Sequence, residues 1–193
     1  GQRLAANQRH ARALEEALHH DPLTGVRSRA SLCASVPGDG ARPCAVILAD
    51  IDHFKRFNDR HGHAAGDLAL RHFAGLLRAN CRNSDLVARL GGEEFVILMP
   101  GTDMADGHRA AHRLAGRIRQ CPVFLDTGPV TLTASFGVAA LLPGDTFDAA
   151  LDRADRALYR AKHTGRDRAC LHDPALDTPP DRPQSAPQNH HKP

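Results

Sequence analysis

A chain of 193 residues with 41% hydrophobic content is long enough to bury one proper core, and most simply forms one domain with extensions. Its formal net charge of +3, from 25 Lys and Arg against 22 Asp and Glu, is too small for the bulk basic field that draws a protein to nucleic acid or an anionic membrane, so any anion site has to be local. Cys33, Cys44, Cys81, Cys121 and Cys170 are odd in number, scattered and without a C-x-x-C, which argues against a disulfide framework or a zinc knuckle and for reduced thiols in a cytoplasmic setting.

Residues 1–20 are rich in Ala, Leu, Arg, Glu and Gln. Leu4, Ala11, Leu14 and Leu18 fall on a and d positions with Asn7 in the seam, which predicts a linker helix, either the end of a coiled coil or a lone amphipathic helix. Because the chain opens in mid-pattern without a start methionine, an N-terminal sensor module is expected in the full-length protein. Asp21-Pro22 ends that helix, since the residue before proline is steered out of the α region, and Thr24-Gly25 makes a turn. The longest apolar stretch, Cys44 to Ala49, is far short of the roughly 20 residues a membrane helix needs. It reads as a strand covered on both faces and ended by Asp50.

Helical spacing follows from Ala64 to Asn80, with Leu68, Ala69, Phe73, Leu76 and Leu77 as its apolar face. Leu86 to Leu90 and Phe95 to Met99 are largely hydrophobic runs joined through Gly91-Gly92-Glu93-Glu94, a hairpin whose turn needs positive φ. A helix carrying Ala111, Leu114, Ala115 and Ile118, a strand over Val130 to Leu141, and a helix carrying Phe147, Leu151, Ala154, Leu158 and Ala161 complete the pattern before a short strand. The order fits an α/β fold of the α+β sandwich type. The domain is expected over 21–172. From Asp173 to Pro193 the chain is dense in Pro, Gln, Asn and His, and is expected to be a disordered tail.

Two acidic clusters end apolar runs: Asp50-Ile51-Asp52, and Glu93-Glu94 at the hairpin tip. Such a pair suggests a hard cation with oxygen ligands, although the tip by itself also reads as a solvated turn. Neighbouring residues of a strand point to opposite faces, so both glutamates reach Asp50 only if the turn twists them together. Asp52 serves a structural hydrogen bond as readily as ligation. Phe54-Lys55 stands at a helix start, where unpaired N–H groups favour an anion. Lys162 and Arg166, four apart, share a face if the last helix persists that far; they also suit a helix C-terminus without any ligand. Asn58 and Asp67 carry groups a guanine edge wants, while Asp67 reads from the sequence alone as a helix N-cap. Arg82 and Asp85 are a surface pair or, by the fork of Arg82 and the acceptor of Asp85, a guanine and phosphate site. His61 and His63 lack further ligands at zinc spacing, so zinc is not expected.

Gly91-Gly92-Glu93-Glu94-Phe95 resembles the signature of the GGDEF family, the diguanylate cyclases, in its GGEEF variant. Asp21-Pro22-Leu23-Thr24-Gly25, Asp50-Ile51-Asp52-His53-Phe54-Lys55, Asn58-Asp59, Gly62-His63-Ala64-Ala65-Gly66-Asp67, Ala157-Leu158-Tyr159-Arg160-Ala161-Lys162 and Gly165-Arg166 resemble family motifs in the family's order, over roughly residues 21 to 171. The resemblance implies a ferredoxin-like, nucleotide-cyclase-type fold with a mixed, largely antiparallel sheet flanked by helices. It implies that Asp50, the main-chain carbonyl of Ile51 and Glu93 hold Mg²⁺, or Mn²⁺ in its place, with Glu93 as base and Glu94 as a supporting carboxylate. It places GTP on Phe54, Lys55, Asn58, Asp67, Gly91, Gly92, Lys162 and Arg166, with Asn58 and Asp67 on guanine. The implied reaction joins two GTP into cyclic di-GMP and two pyrophosphates in a homodimer, inhibited by product at Arg82 and Asp85. Neither nucleic acid nor membrane contact is implied for this domain. Val26 and Ser28 depart from the family's leucine and asparagine, which puts the local packing there in doubt. The alternatives are a silent GTP or cyclic di-GMP sensing module and a different nucleotidyl cyclase.

Overall fold

The apolar run ending at Asp50 becomes the central strand of the sheet, with all eight of its residues, Cys44–Ile51, buried. In the computed structural model residues 19–36 and 43–177 are described; the linker helix expected over 1–20 lies almost wholly outside them, as does the tail from 178 onward. The element order is β1 (Arg27–Ser28), α1 (Arg29–Ala34), β2 (Cys44–Ile51), α2 (Phe54–His61), α3 (His63–Asn80), β3 (Leu86–Gly91), β4 (Glu94–Pro100), α4 (Met104–Gln120), β5 (Val123–Leu125), β6 (Gly128–Val130), β7 (Ala134–Leu141), α5 (Phe147–His163) and β8 (Ala169–Leu171). Six strands form one sheet in the order β1-β3-β4-β2-β7-β8, and β5 and β6 form a separate hairpin. The four inner strands pair antiparallel, while the edge pairs β1 with β3 and β7 with β8 are parallel.

Alternation along the strands divides the core into two layers. Ile47, Phe95 and Phe136 face α3 and α4, against Phe73, Leu114 and Ile118. Val46, Leu48, Val96 and Leu98 face α1 and α5, against Leu32, Ala154 and Leu158. Burying each such side chain contributes about 1.5–3 kcal/mol, so both faces of β2 have to be covered for the strand to hold. On the α5 side the contact is backbone to backbone: a Cβ at Gly137 would lie 2.0 Å from the Ala154 carbonyl oxygen and 2.3 Å from the Leu158 nitrogen. That close approach fixes α5 on the sheet and carries its last turn to the end of β2.

Several expectations change. The face of α3 is Gly66, Ala69, Leu70, Phe73, Ala74 and Leu77, so Leu70 is buried and Leu68 is 47% exposed. The helix starts at His63 because Gly62, at φ 85°, ends α2 and opens α3; Asp67 therefore sits inside the helix and is not its N-cap. The strand expected over Val130 to Leu141 is divided: Val130 pairs with Val123 in β6, and β7 begins only at Ala134, with buried residues on both faces in place of an alternation. The short hairpin of β5 and β6 was not legible in advance. Helix α5 stops at His163, so Arg166 lies beyond it and does not share a helical face with Lys162. Packing continues past residue 172: Asp177 is 7% exposed, its carboxylate held by Arg160, His172 and the Asp173 N–H. The departures Val26 and Ser28 fit locally, Val26 at 2% exposure in the core and Ser28 as N-cap of α1, its hydroxyl accepting from the Ser31 N–H at 3.2 Å.

Candidate active site at the end of the central strand

Asp50 sits in register with Glu94 on β4 and with Ser135 on β7, at the carboxyl end of β2. It is 6% exposed, and the Lys162 ammonium from the last turn of α5 lies 2.7 Å from its carboxylate. Burial pushes the Asp50 carboxyl up from its ordinary 3.8 to about 6 against the pull of Lys162, and the charges of Glu93 and then Glu94 add to the rise. Burial raises Glu94 as well, with Lys162 opposing and Asp155 and Glu93 adding. The hairpin twist thus brings the charges of both glutamates to bear on Asp50. Lys162 is the cation that answers this crowding, paired with Asp50.

Such a set suits a hard divalent cation, with the main-chain carbonyl of Ile51 next in the strand. Among the described residues no three His, Cys, Asp or Glu side chains converge closely enough to hold a metal alone.

The same crowding has a measurable cost. A carboxyl raised from 3.8 to about 6 contributes stability that is present below about pH 4 and is lost as pH rises through 6. Asp50→Asn is therefore expected to flatten the stability-pH profile between pH 4 and 7, and to be about 1–3 kcal/mol more stable than the parent at pH 7 in chelator. Urea midpoints at the two pH values test this; identical pH dependence in both proteins would refute it.

The hairpin tip is built by Gly91 and Gly92, at φ 152° and 52°, with a register shift between Arg89 and Gly91. Arg89 fastens it. Its Nε and Nη2 donate to the Gly92 carbonyl at 2.9 and 2.7 Å, and its Nη1 lies 3.2 Å from both oxygens of Asp21. Asp21 in turn accepts from the Thr24 N–H and hydroxyl at 2.9 and 2.5 Å. Although burial opposes ionisation, the Thr24 bonds and Arg89 hold the Asp21 carboxyl below its ordinary range. Arg89 and Asp21 thus hold the acidic tip in place, a role that sequence reading did not assign. The only signal was the place of Asp21 in a quoted motif, and none of those motifs names Arg89.

Phe54 is buried and Lys55 exposed at the first turn of α2, whose N-cap is His53 at φ 57° with no side-chain cap, so the turn presents its N–H groups. Asp52, by contrast, is taken up structurally, accepting from Thr133 Oγ1 at 2.8 Å, Ser135 Oγ at 2.7 Å and the Asp167 N–H at 3.0 Å.

Asn58 on α2 packs against Gly66 on α3, the residue before Asp67. Gly66 is required there, because a Cβ would lie 1.9 Å from Asn58 Oδ1. That oxygen is buried and without a hydrogen-bond partner. An orphaned acceptor costs about 1–3 kcal/mol, so it awaits a donor, and the exposed carboxylate of Asp67 stands one residue from its contact.

Arg82 and Asp85 lie apart from these groups, between α3 and β3. The Arg82 N–H donates to Asp85 Oδ2 at 2.8 Å, and Asp85 Oδ1 is buried and unpartnered. Both border a cavity of about 560 Å³ that Arg27 and Arg78 also line. Burial, with the charge of Asp85, pushes the neighbouring Cys81 thiol up to about 12, so it stays protonated; all five cysteines are free.

Residues 18–168 match the family described as "Diguanylate cyclase, GGDEF domain". The diguanylate cyclase DgcP of Pseudomonas aeruginosa is 44% identical over 154 residues, which is 77% of this chain and 23% of that protein. The response regulator PleD of Caulobacter vibrioides is 41% identical over 155 residues, 76% of this chain and 34% of that protein. The chain thus spans about a quarter to a third of the length of these relatives. Among solved structures, the coiled coil and GGDEF domain of DgcB from Caulobacter crescentus, in complex with c-di-GMP, superimposes with a TM-score of 0.80 at 25% identity, covering 88% of this chain and 94% of that one.

Proposed function

The chain belongs to the GGDEF family of diguanylate cyclase domains, and from that premise we propose that it condenses two GTP into cyclic di-GMP with release of two pyrophosphates. The observation that carries this reading is the buried Asp50 carboxylate at the end of β2, paired with Lys162, in register with Glu94 and under the charge of Glu93. Asn58 and Asp67 lie on the two helices that follow the strand.

The residues divide the work. Asn58 and Asp67 hold guanine, the free Asn58 oxygen accepting from a base amine and Asp67 from N1–H. Lys55 and the open first turn of α2, with Phe54 closing the wall behind it, take the phosphates. Gly91 and Gly92 leave the hairpin tip free of side chains there. Lys162 exchanges Asp50 for a phosphate oxygen, and Arg166 approaches from the turn after α5. A Mg²⁺ or Mn²⁺ on Asp50, the Ile51 carbonyl and Glu93 would neutralise phosphate charge and lower the pKa of the attacking hydroxyl. Glu93 accepts the proton of the 3′-hydroxyl, supported by Glu94. The hydroxyl of one GTP attacks the α-phosphorus of the other, pyrophosphate leaves, and the step repeats with roles exchanged.

Each domain supplies one half-site, so two copies have to face one another. Product inhibition through Arg82 and Asp85 fits the cavity they border and the unpartnered Asp85 oxygen. A sensor module N-terminal to this domain, in a cytoplasmic protein or one anchored elsewhere, would set the facing of the copies.

Asp67→Ala is expected to lower the preference for GTP over ATP by about tenfold or more, because a site built to hydrogen-bond a base discriminates through those bonds. Competition binding of the two nucleotides measures it; an unchanged preference would remove Asp67 from base recognition.

A further inference from the structure

Three successive residues after α5 have positive φ: Gly165 at 123°, Arg166 at 59° and Asp167 at 49°. At Gly165 this closes the helix, and the Arg166 N–H donates back to the Ala161 carbonyl at 2.9 Å. Arg166 and Asp167 carry side chains, for which left-handed backbone is disfavoured; two in succession persist only where the surroundings over-determine them.

Those surroundings are specific. Asp52 Oδ2 accepts from the Asp167 N–H at 3.0 Å and from Thr133 Oγ1 at 2.8 Å, while its Oδ1 accepts from Ser135 Oγ at 2.7 Å. Asp52 is 8% exposed, and the start of β7 holds it from the other side. From α4, Arg119 Nη1 donates to Asp167 Oδ2 at 3.2 Å. Arg168 Nε donates to the Arg166 carbonyl at 2.9 Å. The backbone of the turn is therefore tied at Arg166 and at Asp167. The Arg166 guanidinium is not: it makes no hydrogen bond or ion pair with any described residue.

We propose that Asp52 and Arg119 are positioning residues, which lock the Gly165–Asp167 turn in its left-handed form and thereby aim Arg166 at the polyphosphate of the bound nucleotide. The proposal rests on the reading of Arg166 as a phosphate contact. It gives Asp52 a role in which only its acceptor capacity matters. Three donors already engage the side chain, and an asparagine can still accept from the Thr133 hydroxyl and the Asp167 N–H through its oxygen.

The test is equilibrium binding, by fluorescence competition, of two probes to the full chain in Mg²⁺: a GTP analogue with a methylene between the α and β phosphorus atoms, and GMP. Asp52→Ala is expected to weaken the analogue by about tenfold, or 1.4 kcal/mol. Arg119→Ala is expected to weaken it by about threefold, as an exposed ion pair allows. GMP affinity should stay unchanged in both. Asp52→Asn should remain within about twofold of the parent, because the hydrogen bonds persist. In an Arg166→Ala background neither alanine should cost anything further, the signature of action through Arg166.

If Arg166→Ala alone leaves the analogue unaffected, the phosphate reading falls and the proposal with it. If Arg166→Ala weakens binding but the other two substitutions do not, or add their full effects on top of it, the positioning role alone is overturned. Asp52→Asn losing as much as Asp52→Ala would also overturn it, returning that carboxylate to cation binding. Arg119→Ala keeps the test decisive should Asp52→Ala fail to fold.

Discussion

Glu93→Ala is expected to lower cyclic di-GMP synthesis by at least about a hundredfold, the scale of losing a group that stabilises developing charge, with the fold retained. Glu93 is half-buried at the hairpin tip, outside both core clusters, so its removal leaves the packing of β3 against β4 intact. Its charge is the larger of the two glutamate contributions that raise Asp50, although Glu94 is the residue in register with Asp50. Burial and the Asp155 charge raise the Glu94 carboxyl, with Lys162 opposing. Glu94→Ala should therefore cost less than Glu93→Ala. Initial rates at saturating GTP, with circular dichroism to verify folding, measure the difference. A Glu93→Ala enzyme within tenfold of the parent would remove Glu93 from both the cation and the proton transfer.

Gly137→Ala should cost about 3 kcal/mol of stability or more. Overpacking is usually relieved by a neighbouring side chain turning aside. At Gly137 the added carbon meets backbone, 2.0 Å from the Ala154 oxygen and 2.3 Å from the Leu158 nitrogen, so α5 as a whole has to lift from β7. Gly107 offers the contrast: a Cβ there meets the Ala45 and Val138 side chains at 2.6 and 3.4 Å, and Gly107→Ala should be the milder change. Lifting α5 also withdraws Lys162 from the end of β2, so residual folded Gly137→Ala should be less active per molecule. Urea denaturation of the two variants measures this; a Gly137→Ala midpoint equal to the parent's would contradict the close packing of α5.

What the sequence revealed was local. The apolar run before Asp50, the Gly91-Gly92 turn and the stripes of α4 and α5 are written in neighbouring residues, because a strand needing cover on both faces or a turn needing positive φ constrains composition there. The face of α3 was legible in part: Ala69, Phe73 and Leu77 are buried as the spacing implies, but Leu68 lies exposed and Leu70 takes the core position instead. The site's supports were not local. Arg89 meets Asp21 across 68 residues, Asp52 meets Asp167 across 115 and Arg119 meets Asp167 across 48. No periodicity announces such pairs, since each is a lone charged or polar residue whose partner the topology alone brings near. The β5 and β6 hairpin escaped for a related reason: its three-residue strands are too short to show an alternation.

The measurement closest to the central claim is chromatography of nucleotides after incubating the chain with GTP and Mg²⁺, with pyrophosphate assayed in the same samples. The account predicts cyclic di-GMP with two pyrophosphates for each molecule formed, at a specific activity that rises with protein concentration as half-sites meet. GTP recovered unchanged at every concentration, from protein shown to bind it, would contradict that account.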